Sequence, residues 1–323
     1  DPSRSAAGMG FAIASSAVLP PDVTPAKLVA AQFNVMQRMA RHADAIVMTC
    51  ASSGNRALLR GLSTLPILVL DEAAQCVEPG PLVSLCLGAE CMVAVGDEKQ
   101  LPATVLDREA CQRGLGCSLF ERLIRDGVVD VDRGFVQLDE QRRMHPSIAA
   151  FPSKRFYGNA VRNGCDSSER PRLPGFPWPS SFDCSVCFVD CAGVEETGKS
   201  KSNSVEAEAL VSALRSCLMA GTKASDIAII TGYSAQQSLL QRLVRQMDLP
   251  TEGLRVDTVD GFQGSERELV LVSTVRTNSE VGFMRDPRRV NVLLTRARRG
   301  LIVFGDALTL ESESDVWKPW VDW

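Results

Sequence analysis

The chain has 323 residues, 45% of them hydrophobic and 23% charged, with a net charge of −4. This is a globular balance, which excludes a disordered, collagen-like or coiled-coil chain and a histone-like basic protein. The length predicts about two domains of roughly 150 residues, each able to bury its own core. Nucleic-acid binding stays open, because it depends on where the basic side chains sit rather than on their sum.

No apolar run approaches the roughly 20 residues of a membrane-spanning helix, so no membrane partner is expected. The first residue is Asp1, and residues 1–25 contain no signal-like apolar core, so the chain reads as a piece of a longer protein. Eleven cysteines, most in apolar runs, predict a reducing compartment, cytoplasmic or nuclear. Cys184, Cys187 and Cys191 are close enough in sequence to suggest zinc, but buried free thiols fit them better. They fall on a predicted strand that turns Cys184 and Cys187 to opposite faces, with no fourth Cys or His nearby.

Residues 1–25 read as a linker or loose terminus. Helical spacing of Leu28, Ala31, Val35 and Met39 after Thr24 predicts a helix over 26–42, capped by Thr24. Buried strands are expected at Ala45–Cys50, Ile67–Leu70 and Met92–Val95, and helices at Val83–Leu87 and Ser118–Arg125. The pattern restarts at Phe135. Strands are predicted at Phe135–Leu138, Val186–Asp190, Ile227–Thr231, Arg255–Thr258, Leu269–Thr274 and Leu301–Gly305. Helices are predicted at Ser147–Phe156, Asn203–Ala220, Ala235–Met247 and Pro287–Thr295, with a long surface loop over Arg162–Ser181. Alternating strands and helices predict two α/β layers with parallel sheets, joined near Asp126–Gly134.

The apolar run Ile67-Leu68-Val69-Leu70 ends in Asp71-Glu72-Ala73-Ala74-Gln75. A carboxylate at a strand's carboxyl end can hold Mg²⁺ through its water shell, and the next one can orient a water for attack on a phosphoryl group. An Asp-Glu pair alone is more often a solvated strand end. A second strand exit follows in Val93-Ala94-Val95-Gly96-Asp97-Glu98-Lys99-Gln100-Leu101-Pro102, where Gly96 permits a tight turn and Gln100 could sense a phosphate. Then come Gln141-Arg142-Arg143-Met144-His145-Pro146, the stretch Asp257-Thr258 to Glu266, and Arg288-Arg289 to Arg298. Arg143 and Arg296 are candidate arginine fingers. The plain alternative for the last stretch is one basic amphipathic helix with a solvated face; in the finger reading Arg298 would lie on that face, away from the chemistry.

Taken in order, these five motifs resemble those of the superfamily 1 helicases, in particular the up-frameshift, nonsense-mediated-decay branch. That family reads Asp-Glu-Ala-x-Gln, Gly-Asp-x-x-Gln-Leu, Gln-Tyr-Arg-Met-His-Pro, Asp-x-Phe-Gln-Gly-x-Glu and Arg-Arg-x-Asn-Val-x-Leu-Thr-Arg-Ala. The likeness covers roughly residues 26–307. It implies an α/β protein of two RecA-like domains, each a mostly parallel sheet flanked by helices, the first one incomplete (26–130) and the second over 131–323. It implies ATP in the cleft between the two, single-stranded RNA or DNA across them, and movement 5′ to 3′. By resemblance Asp71 holds Mg²⁺, Glu72 activates water, and Gln100, Arg143, Glu266 and Arg296 surround the γ-phosphate, with Gly264 beside them. Thr49, Ser52 and Ser53 in the first half, and Tyr233 and Thr258 in the second, are the implied nucleic-acid contacts.

The likeness has gaps. The only match to Gly-x-x-x-x-Gly-Lys-Ser is Gly193 to Ser200, and it is rejected as a phosphate loop because Glu195 and Glu196 stand where phosphate would lie. The true loop is expected upstream of residue 1, with an adenine-binding Gln and an accessory domain through which protein partners could act. Arg142 replaces the family's Tyr and Gly232 its Pro. The sequence thus predicts an ATP-dependent helicase or translocase that is inactive as this chain alone. The alternative is an ATPase-inactive nucleic-acid-binding or scaffold module derived from one.

Overall fold

The structure is a computed structural model, and it describes residues 24–55, 64–179, 183–196, 198–277 and 280–323. The expected linker over 1–25 lies almost wholly outside them. The chain divides into two compact units, one of residues up to Leu70 with Pro79–Val93, the other of Asp71–Glu78 with Ala94–Trp323.

In the first unit, helix α1 (Pro25–Arg41) starts where predicted, with the Thr24 hydroxyl accepting from the Lys27 amide. Strands β1 (Ile67–Leu70) and β2 (Cys91–Ala94) pair, with helix α2 (Pro79–Leu85) between them in sequence. The strand expected at Ala45–Cys50 does not form. A one-turn helix, Cys50–Ser53, begins there instead, capped by Thr49, and Val47 is 97% exposed. A short apolar run without a neighbouring ladder gains nothing from being extended.

The second unit carries helices α3 (Leu119–Arg125) and α4 (Pro146–Tyr157) and then a five-stranded parallel sheet. Its strands are β3 (Val186–Asp190), β4 (Ile227–Thr231), β5 (Arg255–Thr258), β6 (Arg267–Ser273) and β7 (Ala297–Gly305), in spatial order β3-β7-β6-β4-β5. Helices α5 (Ser204–Met219), α6 (Ser234–Arg245) and α7 (Pro287–Leu294) flank it. Period-two alternation explains why these strands read as unbroken apolar runs. Ala228, Ile230, Val270, Val272, Leu301 and Val303 enter one core, with Ile148 of α4 and Val290 of α7. Ile227, Ile229, Leu269, Leu271, Ile302 and Phe304 enter the other, with Leu210 of α5 and Leu240 of α6. Both faces are covered, as a parallel sheet requires, and the α/β expectation holds for this unit.

Two expectations fail here. Phe135–Leu138 is not a strand, and Val136 and Leu138 are 80% and 81% exposed. The supposed surface loop from Arg162 buries Cys165 and Leu173, and its start pairs with Glu140–Gln141. Cys184 packs against the first core and Cys187 and Cys191 against the second, so the three thiols are split across the sheet. Among the described residues no helix is long and apolar enough to cross a membrane.

Candidate active site

Parallel strands put all their amino ends on one edge of the sheet. Glu266 directly precedes β6 and Arg296 directly precedes β7, and the register pairs Arg267 with Ala297, so the two side chains start from adjacent strand beginnings. The main-chain amide of Arg267 donates to the carbonyl of Arg296. Helix α7 ends at Leu294, beside the predicted Thr295, so Arg296 and Arg298 do not share a helix and the plain alternative of one basic amphipathic helix does not hold. Arg298 lies in β7 and pairs with Glu266 at 3.2 Å and Glu268 at 3.3 Å.

Arg296 is 2% exposed. Its Nε donates to the Val292 carbonyl at 2.9 Å, and its Nη2 to Thr295 Oγ1 at 3.0 Å and Gln100 Oε1 at 3.2 Å. These hydrogen-bond partners are all neutral oxygens. Burial, reinforced by the like charge of Arg143 and opposed by Glu72, brings its pKa down to about 10. The guanidinium is therefore still cationic at neutral pH.

Arg143 reaches the same edge from the turn after Gln141, whose Oε1 accepts from the amides of Arg143 and Met144 and shapes that turn. Its Nε donates to Glu266 Oε2 at 2.5 Å and its Nη1 to the Thr295 carbonyl at 3.1 Å. Glu266 is thus held by two arginines, Arg143 and Arg298. Neighbouring Arg142 points to solvent and pairs with Glu140. Gly264 has φ +74° with open space where a side chain would start, a backbone that glycine adopts without strain.

Asp71 and Glu72 are exposed at the end of β1. The Asp71 Oδ1 accepts from the Glu72 amide at 3.0 Å, and Gln75 Nε2 donates to Glu72 Oε2 at 2.6 Å. Glu72 has φ +50°, in the left-handed region that a non-glycine residue seldom occupies, and such strain clusters at functional sites. Gly96 serves close approach rather than a special φ: a Cβ there would stand 3.0 Å from the Ala74 amide. Gln100 Nε2 donates to Asp97 Oδ2 at 2.6 Å, which leaves its Oε1 for Arg296. The structure so links Gln100, Arg143, Glu266 and Arg296, with Glu72 close enough to act on Arg296 electrostatically.

The remaining candidates lie elsewhere. In the first unit Thr49 and Ser52 are exposed, whereas the Ser53 hydroxyl is buried between the Cys50 carbonyl and Ser84. In the second, Tyr233 and Thr258 follow β4 and end β5, on the carboxyl edge of the sheet. Thr258 caps a helical turn, and the Tyr233 hydroxyl accepts from the Phe283 amide at 3.4 Å. The Gly193–Ser200 match contains one strand of a small antiparallel hairpin, Glu195–Glu196 with Ser202–Asn203, and α5 starts only at Ser204. Glu195 there pairs with Lys201 and Arg276. Tyr157 and Asn291, which hydrogen-bond into the Asp97–Gln100 loop, were not singled out in the sequence. Asn291 carried a signal, as part of the last motif, and Tyr157 carried none.

The fold and this cluster define an α/β protein with a buried cation beside exposed, adjacent carboxylates. Two family models described as AAA domain match residues 115–308 and 25–108. The chain belongs to this AAA-domain family. The regulator of nonsense transcripts 1 homolog of Drosophila melanogaster is 37% identical over 84% of this chain and 23% of its own length. The ATP-dependent helicase NAM7 of Saccharomyces cerevisiae is 36% identical over 83% of this chain and 28% of its own. The ATP-dependent helicase upf1 of Schizosaccharomyces pombe is 35% identical over 85% and 30%. The resemblance to up-frameshift-type helicases is borne out, and the chain spans under a third of these relatives. Among solved structures, the PRRSV helicase matches with a TM-score of 0.41 and 16% identity, over 80% of this chain and 39% of its own.

Proposed function

We propose that this chain is part of an ATP-dependent helicase or translocase acting on single-stranded RNA or DNA. The observation that carries the reading is Arg296, a buried guanidinium hydrogen-bonded only to neutral oxygens. A buried cation without a bonded counter-charge is costly, and an anionic ligand removes that cost. The residues fit Mg²⁺-ATP. Asp71 is exposed and keeps one carboxylate oxygen clear of the Glu72 amide, and Arg296, Arg143 and Gln100 converge on one locus. When bound, Mg²⁺-ATP supplies the phosphoryl group and its leaving group. Asp71 holds the metal's water shell. Glu72, steadied by Gln75, orients a water and takes its proton. Gln100, Arg143 and Arg296 bind the terminal phosphate and offset charge that builds on it. Glu266 aims Arg143, and Gly264 lets the backbone approach.

Thr49, Ser52, Tyr233 and Thr258 bind the strand's backbone in this reading, with Ser53 bracing its own turn. Two RecA-like domains dividing near residue 130, and a cytoplasmic or nuclear compartment suited to eleven free thiols, belong to the same proposal. The chain alone resembles the inactive alternative, because its one Gly-x-x-x-x-Gly-Lys-Ser match lies in a hairpin rather than at a helix start. The test is phosphate release by the complete reading frame with saturating single strands. Strand-stimulated turnover that Arg296→Ala abolishes supports the proposal, and turnover indifferent to Arg296 overturns it.

A further inference from the structure

Tyr157 is the last residue of α4, just before Gly158 turns the chain into the left-handed region at φ +59°. Its hydroxyl donates to Asp97 Oδ2 at 2.6 Å and accepts from Asn291 Nδ2 at 2.8 Å. Asn291 is fully buried on α7, and its Nδ2 also donates to the Lys99 carbonyl at 2.9 Å. The same Asp97 oxygen accepts from Gln100 Nε2 at 2.6 Å. An ionised carboxylate can only accept, so Gln100 must turn its NH₂ toward Asp97 and its Oε1 toward Arg296. The hydrogen-bond directions are therefore fixed along the line from Asn291 through Tyr157, Asp97 and Gln100 to Arg296.

We propose that Tyr157 is a positioning residue: through Asp97 it sets the amide orientation of Gln100 and, through Gln100, the place of the Arg296 guanidinium. Burial, followed by the nearby Asp97 charge, holds the Tyr157 hydroxyl protonated well above the ordinary tyrosine range, so it stays a donor at every working pH. Without that hydroxyl, Asp97 has one fewer donor and the Asn291 amide loses an acceptor, so the carboxylate that orients Gln100 is held less firmly. A phenylalanine ring fills the same space, so packing stays and only the oxygen is lost. The kinetic half of this inference rests on the ATP reading above, and the structural half does not.

The experiment has two arms. In this chain, the assigned side-chain NMR resonances of the Gln100 amide and the Arg296 guanidinium are compared between the unsubstituted protein and Tyr157→Phe. The inference expects both to shift, with Asp97→Asn shifting the same pair. Unmoved resonances overturn it. In the complete reading frame, Tyr157→Phe is expected to lower the ATPase kcat about tenfold, the worth of one charge-assisted hydrogen bond, with KM for ATP within about twofold. In a Gln100→Ala background it should do nothing further, because the two act in series. Additive losses, or a loss in KM alone, overturn the relay. If the unsubstituted reading frame turns over no ATP, the proposed function falls, and the resonance arm still decides the relay.

Discussion

Arg296 differs from Arg142, Arg143 and Arg298 in what answers its charge. Arg143 and Arg298 meet Glu266, and Arg142 meets Glu140, but Arg296 is buried against a hydroxyl, a main-chain carbonyl and a side-chain amide. Its removal from the complete reading frame should therefore cost most. Arg296→Ala is expected to lower strand-stimulated ATPase by about 10³-fold or more, the range of arginine fingers. Arg142→Ala should change it by less than about twofold, being an exposed pair of small worth. Equal, modest losses in a phosphate-release assay would remove Arg296 from the chemistry. Glu72→Gln is expected to keep nucleotide binding, read by a fluorescent analogue, while turnover falls by about 10²–10⁴. The sequence made Arg296 legible through its motif but misjudged Arg298. Helix α7 ends at Leu294, one residue short of the predicted Thr295, and tertiary pairing then draws Ala297 and Arg298 into the sheet. Tyr157 was invisible because its role is set by Asp97, sixty positions away in sequence.

At the scale of elements, the exit of β6 is held by a buried polar network. Glu206 of α5 is fully buried, and its carboxylate accepts from Ser273 Oγ at 2.5 Å and from the Val275 amide at 3.0 Å. Val275 has φ +75°, a left-handed backbone that costs a β-branched residue of order 1–3 kcal/mol. Gln236 of α6 closes the network through Ser273 and Asn203. Burial pushes the Glu206 pKa up to about 8, against hydrogen bonds that lower it. A carboxyl whose folded pKa is raised binds its proton more tightly in the folded state. Its contribution to stability is full below the unfolded value near 4.5 and is lost as pH rises through about 8. Urea midpoints from pH 5 to pH 9 should thus fall more for the natural protein than for Glu206→Gln. Parallel curves would show that Glu206 does not titrate in this window. Strands β4, β6 and β7 were legible because both faces are apolar and buried. Ala45–Cys50 and Phe135–Leu138 have the same composition but no described strand beside them, and a single sequence does not disclose which apolar runs find a ladder.

At the scale of the whole molecule, the carboxyl edge of the sheet presents Tyr233 and Thr258, while Thr49 and Ser52 belong to the other unit. The chain is net acidic at −4, so attraction of a polyanion rests on local cations rather than on overall charge. The ATP expectation for this chain alone follows from the hairpin at 195–203. Because the one Gly-x-x-x-x-Gly-Lys-Ser match in the sequence falls there and not at a helix start, phosphate release is expected to stay near background, and turnover at a motor's rate would mean that the hairpin or another segment supplies the cradle. Strand binding does not need that cradle. Contacts made mainly by hydroxyls and amides neutralise few phosphates, so affinity should be weak and indifferent to base sequence. For single strands the logarithm of affinity falls by about 0.7 per phosphate for each logarithm of salt. If about three phosphates are engaged, raising salt from about 50 to about 200 mM lowers affinity about 20-fold. Fluorescence anisotropy of a labelled oligonucleotide at those two concentrations measures the drop directly. Poly-pyrimidine and mixed sequences should agree within a few-fold, since stacking rather than base-edge contact sets the preference. No binding at the lower salt, or binding that salt leaves unchanged, would refute the phosphate-tracking surface, and with it the nucleic-acid half of the proposed function.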